Sequence, residues 1–207
     1  MESAIRAQDI PRTASPEAAA PRLAPIRSWN PLVWLTTLIY RFSIGSTAPV
    51  GVIFARAPRT LLAHILLMAT SEYGLSLDAR LRSLARVYGS RVNGCLYCDD
   101  LETRLALQHK SVERADVDAL PSFRTSDRFS AREKAALQYI EEVNTTRRAS
   151  DETFENLRRH FAEREIVELT WLNAVGNYLN LQAKPLGLLP DGACEIPARA
   201  SDAKPVR

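Results

Sequence analysis

The chain has 207 residues, with 27 Lys and Arg against 24 Asp and Glu, a net charge of +3 and 46% apolar residues. That is the size of one domain with enough apolar content for a core. Its basic residues are interleaved with acidic ones and cluster only as pairs, such as Arg147-Arg148 and Arg158-Arg159, so no one-sided basic stripe exists and a nucleic-acid partner is not expected.

Residues 1–28 are rich in Ala and Pro, carry Glu2, Asp9 and Glu17, and lack an apolar core of the secretory type. They read as a disordered leader, and the expected compartment is the reducing cytoplasm. The apolar segment 32–54 raises the question of a membrane span, but Arg41 interrupts it and Pro49 and Gly51 follow. A buried helix followed by a loop, with no membrane association, is the expectation.

Helical signals then run the length of the chain, and no β-type alternation is sustained. Asn30-Pro31 is a cap followed by proline at the first helical position, opening a helix to about residue 42. Pro58 opens a second, to about Tyr73, with Leu62, Ile65, Leu66 and Ala69 on one face and Gly74 as its stop. A third, 78–92, carries Leu81, Leu84, Ala85, Tyr88 and Val92 at helical spacing. The fourth, 95–109, has Leu101, Leu105 and Ala106 as its apolar face, and a short helix follows at 112–120.

In the second half, Ser130-Ala131-Arg132-Glu133 is a capping box, and Ala136, Leu137, Ile140 and Val143 form the stripe behind it. Asp151 opens a helix with Phe154, Leu157 and Phe161 facing inward. The last helix, 163–183, is apolar on most sides, through Ile166, Val167, Leu169, Trp171, Leu172, Val175, Leu179 and Leu181. A helix of that kind is buried in the core or against another subunit. The expectation is therefore one all-α domain at 29–189, between the leader and a disordered tail at 190–207 that includes Cys194, a bystander.

Chemistry concentrates at Cys95 and Cys98, in Asn93-Gly94-Cys95-Leu96-Tyr97-Cys98. A spacing of three puts both sulfurs on one helix face, close enough for a disulfide or a shared metal. Gly94 suggests a helix start, where free N–H groups favour a thiolate. Three readings stand open: a redox pair, a zinc site short of ligands among His64, His109 and His160, or two buried small hydrophobes. His64 falls on the apolar face of its helix and reads as a core histidine, and His109 and His160 end helices. Trp171 and Tyr178 read as packing residues.

The block 81–98, Leu-Arg-Ser-Leu-Ala-Arg-Val-Tyr-Gly-Ser-Arg-Val-Asn-Gly-Cys-Leu-Tyr-Cys, resembles the core of the carboxymuconolactone decarboxylase and alkylhydroperoxidase D-like (AhpD-like) family. Segments 129–137, 161–170 and 177–180 are similar to its later helices, so the resemblance covers about 30–188. It implies an all-α, AhpD-like helical bundle with the CxxC at the start of a helix, assembled as a homo-oligomer, commonly a trimer or hexamer. It also implies a thiol-disulfide or peroxide-reducing oxidoreductase with Cys95 and Cys98 as the catalytic pair, no cofactor, and a protein or small-molecule thiol as reductant.

In the family's peroxidases, the pair works with a glutamate on the preceding helix and a histidine four residues past the second cysteine. Here those positions are Ser83 and Glu102. An ordinary glutamate is already ionised at neutral pH, and burial is what would restore it as a proton carrier. Asp99 and Asp100 oppose a thiolate beside them, and Arg91 and Arg104 are the cations available to offset this. A non-catalytic binding or interaction module on the same fold is the alternative. The lactone decarboxylation in the family's name has no specific residue set here.

Overall fold

A computed structural model describes residues 21–26, 29–45, 47 and 49–190. Of the expected leader at 1–28, residues 1–20, 27 and 28 lie outside them, as do residues 191–207 of the tail, with Cys194. The described chain is all helical: α1 (Pro31–Ser43), a π-helical turn (Val50–Phe54), α2 (Pro58–Glu72), α3 (Ala79–Val92), α4 (Leu96–Gln108), α5 (Arg114–Ala119), a 3-10 turn (Leu120–Ser122), α6 (Ala131–Thr146), α7 (Asp151–Arg158) and α8 (Glu163–Ala183). No helix among the described residues is long and apolar enough to cross a membrane.

Local signals explain most of these boundaries. Asn30 Oδ1 accepts from the N–H groups of Leu32 and Val33 at 3.0 and 3.4 Å, with Pro31 as the first helical residue. At α6, Ser130 Oγ accepts from Glu133 N at 3.2 Å, while the Glu133 carboxylate accepts from Ser130 N at 2.8 Å. Asp78 caps α3 through Leu81 N at 2.8 Å.

Helix α3 is the central element, packed against α4, α6 and α8. Its Leu81, Leu84 and Ala85 meet Leu137 and Ile140 of α6 and Leu169 and Leu172 of α8 in the main core. Each such leucine or isoleucine contributes roughly 1.5–3 kcal/mol by leaving water. Glu168 ties the α2–α3 connection to α8, accepting from Ser76 N and Oγ at 2.7 Å each and from Leu77 N at 3.3 Å.

Four sequence expectations change here. The stretch after α1 is a π-helical turn with Val50, Val52 and Phe54 buried, in place of a loop. The inward face of α2 is Leu61, His64 and Ser71, while Leu62 and Leu66 face out. Helix α1, expected to be buried, exposes Trp34 (65%) and Phe42 (77%), with Leu35, Leu38 and Ile39 also exposed. Phe154 of α7 is exposed, whereas Leu157 and Phe161 are buried as expected.

Candidate active site

The turn between α3 and α4 shapes the cysteine pair. Gly94 has φ +63°, a left-handed conformation that suits a residue without Cβ, and it lets Cys95 N donate back to Ser90 O at 3.0 Å. Cys95 then becomes the N-cap of α4, its Sγ accepting from Cys98 N at 3.3 Å. The two cysteines are joined in a disulfide, with Cα atoms 5.3 Å apart.

Side chains of α8 hold this turn from behind. Asn93 Nδ2 donates to Asn180 Oδ1 at 2.7 Å and Asn177 Oδ1 at 3.3 Å, and Lys184 Nζ donates to Asn93 O at 2.5 Å. Asn177 and Asn173 in turn donate to Asn144 of α6 at 2.8 and 2.9 Å. An amide ladder thus runs from α6 across α8 to the residue two before Cys95.

The pair is covered. Cys95 and Cys98 are only 2% and 5% exposed, packed with Val52 and Ile53 of the π-helical turn, Tyr97 and Leu101 of α4, and Ala183, Leu186 and Leu188 at the end of α8. Residues 21–26 strap the cover down. Arg22 N donates to Leu186 O at 2.9 Å, Arg22 Nη1 to Pro185 O at 3.2 Å, and Ile26 N to Gly51 O at 3.1 Å. Arg56 Nη2 completes the strap, donating to Ala24 O at 2.7 Å.

The charges near the pair are engaged elsewhere. Arg91 Nε donates to both Asp99 oxygens at 2.9 and 3.1 Å and its Nη1 to Val117 O, so Arg91 neutralises Asp99. Arg104 reaches the Ile44 carbonyl past α1.

Ser83 and Glu102 are each committed. Ser83 Oγ pairs with Ser111 Oγ at 2.7 Å, beyond the C-terminal end of α4 and at the far end of that helix from the cysteines. Glu102, one turn past Cys98, is half-buried. Burial pushes its pKa up, the Arg86 guanidinium opposes this and Glu72 adds to it. Arg86 itself bonds Glu72 Oε1 and Ser71 O at 2.7 and 2.8 Å.

Sequence reasoning missed the tyrosines around His64. That histidine is 3% exposed, with Tyr40 Oη 2.6 Å from Nε2 and Tyr178 Oη 3.4 Å from Nδ1. Burial lowers its pKa to about 4, so it is neutral at physiological pH. The three partners sit on α1, α2 and α8, and no spacing in the sequence announces their meeting. His109 caps the end of α4 and is exposed, and the His160 carbonyl accepts from Arg132. Among the described residues, no group of three or more His, Cys, Asp or Glu is placed to hold a metal ion.

Comparison with known proteins follows the same elements. Residues 60–142 match the model of the carboxymuconolactone decarboxylase family. YdfG of Bacillus subtilis (strain 168) is 30% identical over 96 residues, 45% of this chain and 65% of YdfG, so the match spans just under two thirds of that relative. YnjA of Escherichia coli K12 is 27% identical over 126 residues, 60% of this chain and 69% of YnjA. Among solved structures, the debrominase Bmp8 superposes with a TM-score of 0.72 at 20% identity, covering 81% of this chain and 91% of Bmp8. An uncharacterised peroxidase-related protein with an alkylhydroperoxidase AhpD core, from Ralstonia eutropha JMP134, gives 0.71 at 19% identity, covering 83% and 93%. The matched segment, residues 60–142, spans the helices that carry the CxxC and is similar to the carboxymuconolactone decarboxylase family, and the described chain has the AhpD-like helical fold.

Proposed function

We propose that this chain is a thiol-based oxidoreductase that reduces a peroxide or exchanges disulfides through Cys95 and Cys98. The observation that carries the reading is the pair itself, held at the N-terminus of α4 in disulfide geometry by a turn braced from α8. In the peroxide reaction, one cysteine thiolate attacks a peroxide oxygen, the O–O bond breaks and the departing alkoxide takes up a proton. The second thiol attacks the resulting sulfenic sulfur, the S–S bond forms and water leaves. An external dithiol then returns the disulfide to two thiols and is itself oxidised.

Glu102 is the family-position candidate for carrying a proton, since burial favours its neutral form. Ser83 contributes no proton in this reading, being paired with Ser111. The likeness to Bmp8, a cysteine-to-alanine variant of which has been seen in complex with 2,3,4-tribromopyrrole, adds a brominated heteroaromatic to the substrates worth testing. Homo-oligomerisation, as a trimer or hexamer, would cover the apolar faces of α1, α2 and α8, and a reducing cytoplasm would keep the pair supplied with electrons. The alternative, a non-catalytic module, draws on one observation: both sulfurs are buried under the cover.

Steady-state turnover of alkyl hydroperoxide, with a dithiol as reductant, tests the reading on wild type, Cys95→Ser and Cys98→Ser. Turnover in wild type that is lost in both variants supports it. Turnover unchanged by either substitution, or no reaction with peroxide, brominated pyrrole or a model disulfide, overturns it in favour of the module.

A further inference from the structure

A buried disulfide poses a proton problem. Reducing it brings two electrons to cysteines that are 2% and 5% exposed, among Val52, Ile53, Leu186 and Leu188. A thiolate left in such surroundings is disfavoured, so protons must arrive with the electrons. Of the two family positions that would supply them, Ser83 is bonded to Ser111, which leaves Glu102 alone, with burial favouring its neutral form and Arg86 opposing it.

We propose that Tyr40, His64 and Tyr178 form a proton wire serving the Cys95/Cys98 pair. The inference rests on reading the pair as redox-active. Histidine has two ring nitrogens, and here each faces a hydroxyl, at 2.6 and 3.4 Å. A neutral imidazole with one donor and one acceptor nitrogen takes a proton at one side and releases one at the other, which is how histidine shuttles protons.

The surroundings link the wire to the residues that cover the sulfurs. The Phe54 ring packs on the His64 ring at 4.5 Å between centroids. Phe54 belongs to the same five-residue π-helical turn whose Val52 and Ile53 cover the disulfide. Such turns recur at functional sites. On the other side, Tyr97, between the two cysteines in sequence and packed with them, is close enough to Tyr40 to act on it electrostatically. Tyr40, with burial as the main cause and Tyr97 and Tyr178 adding to it, is pushed up to about 12, so its hydroxyl rests protonated and passes its proton on only as His64 replaces it. The groups facing His64 are therefore Tyr40 from α1, Phe54 from the π-helical turn and Tyr178 from α8.

The balance is simple. A dithiol reductant attacks one cysteine sulfur, the Cys95–Cys98 bond breaks and the departing cysteine sulfur takes a proton delivered from the Tyr40 end. His64 replaces that proton from Tyr178, and Tyr178, half-exposed, draws one from solvent. The reductant's second thiol then attacks the mixed disulfide, the bond to the protein breaks, the oxidised reductant leaves and the other cysteine sulfur takes a second proton by the same route. The wire's residues keep their proton count, and His64 passes from the Nε2–H to the Nδ1–H tautomer until the chain of hydroxyls reorients. His64 and the tyrosines are positioning and relay residues, and the sulfurs do the redox chemistry.

The test is the rate at which dithiothreitol reduces the disulfide of the intact chain, in H2O and D2O. It compares wild type with His64→Gln, which keeps hydrogen-bonding capacity but cannot shuttle a proton, and with Tyr40→Phe and Tyr178→Phe, which lose only a hydroxyl. Reduction slowed tenfold or more in His64→Gln and Tyr40→Phe, with a changed solvent isotope effect, supports the wire. Wild-type rates and isotope effects in both overturn it. If His64→Gln melts early, the two phenylalanine variants decide alone. The readout uses no peroxide, so failure of the wire is separable from failure of the peroxidase reading, which would show as absent turnover in wild type.

Discussion

Leu188 is the most direct handle on access to the disulfide. It is 6% exposed and packs with Val52, Ala183 and both cysteines at the end of α8. A reductant reaches sulfur only when the segment carrying it lifts, and lifting exposes the leucine to water. Burial of a leucine side chain is worth about 1.5–3 kcal/mol, so Leu188→Ala lowers the opening cost by that order, and the open population rises about ten- to a hundredfold. Arg22→Ala removes only the exposed guanidinium bond to Pro185 O, worth about 0.5–1.5 kcal/mol, and accelerates opening by a few-fold. The assay is the rate of disulfide reduction by a phosphine, followed by thiol release, with melting temperatures measured alongside. Leu188→Ala reduced at the wild-type rate would refute the reasoning, because the sulfurs would then be reached by a route that leaves the cover closed.

Three further outcomes are expected. Leu84→Ala, at a fully buried site in the centre of α3, costs about 2–5 kcal/mol of stability in a urea titration; a cost well below that range would mean that α3 is not the packing centre. Acid lowers the melting temperature through two carboxylates. Burial raises both, but Arg80, the Glu113 N–H and Arg128 outweigh it at Asp116, and Ser76 and Arg164 at Glu168, so both titrate at about 2. A depressed folded pKa stabilises fully above the ordinary values of 3.8 and 4.5 and is lost as pH falls from there toward 2, so melting temperature declines across that window, and Glu168→Gln flattens part of the decline. Finally, wild type runs as a homo-oligomer in light scattering and Phe42→Glu, on the exposed face of α1, shifts it toward monomer; a monomeric wild type contradicts the assembly.

Legible in the sequence are the parts of this structure that depend on neighbours in the chain. Asn30-Pro31, Asp78 and the Ser130/Glu133 box each act within one turn, and each begins a helix where the local signal places it. The cysteine spacing likewise carries its own geometry. What stays hidden depends on residues far apart. Pro49 and Gly51 suggest a loop, yet burial of Val50 and Phe54 against α1 and α2, and of Val52 against the cysteine pair, winds them into a π-helical turn. On α2 the core reading of His64 holds, but Leu62 and Leu66 are as apolar as Leu61, and only the arrangement of α1 and α8 shows that those two face out. Ser83 and Glu102 are legible as departures from the family pattern, but their partners, Ser111 and Arg86, become visible only in the packed helices.

The central claim is that Cys95 and Cys98 form a working redox pair. It is tested most directly by mixing the fully reduced chain with one equivalent of alkyl hydroperoxide and following intramolecular disulfide formation by mass spectrometry. The account predicts a loss of two hydrogens from the peptide carrying both cysteines, in step with consumption of the peroxide and absent in Cys95→Ser and Cys98→Ser. Both thiols remaining reduced while the protein stays folded would contradict it.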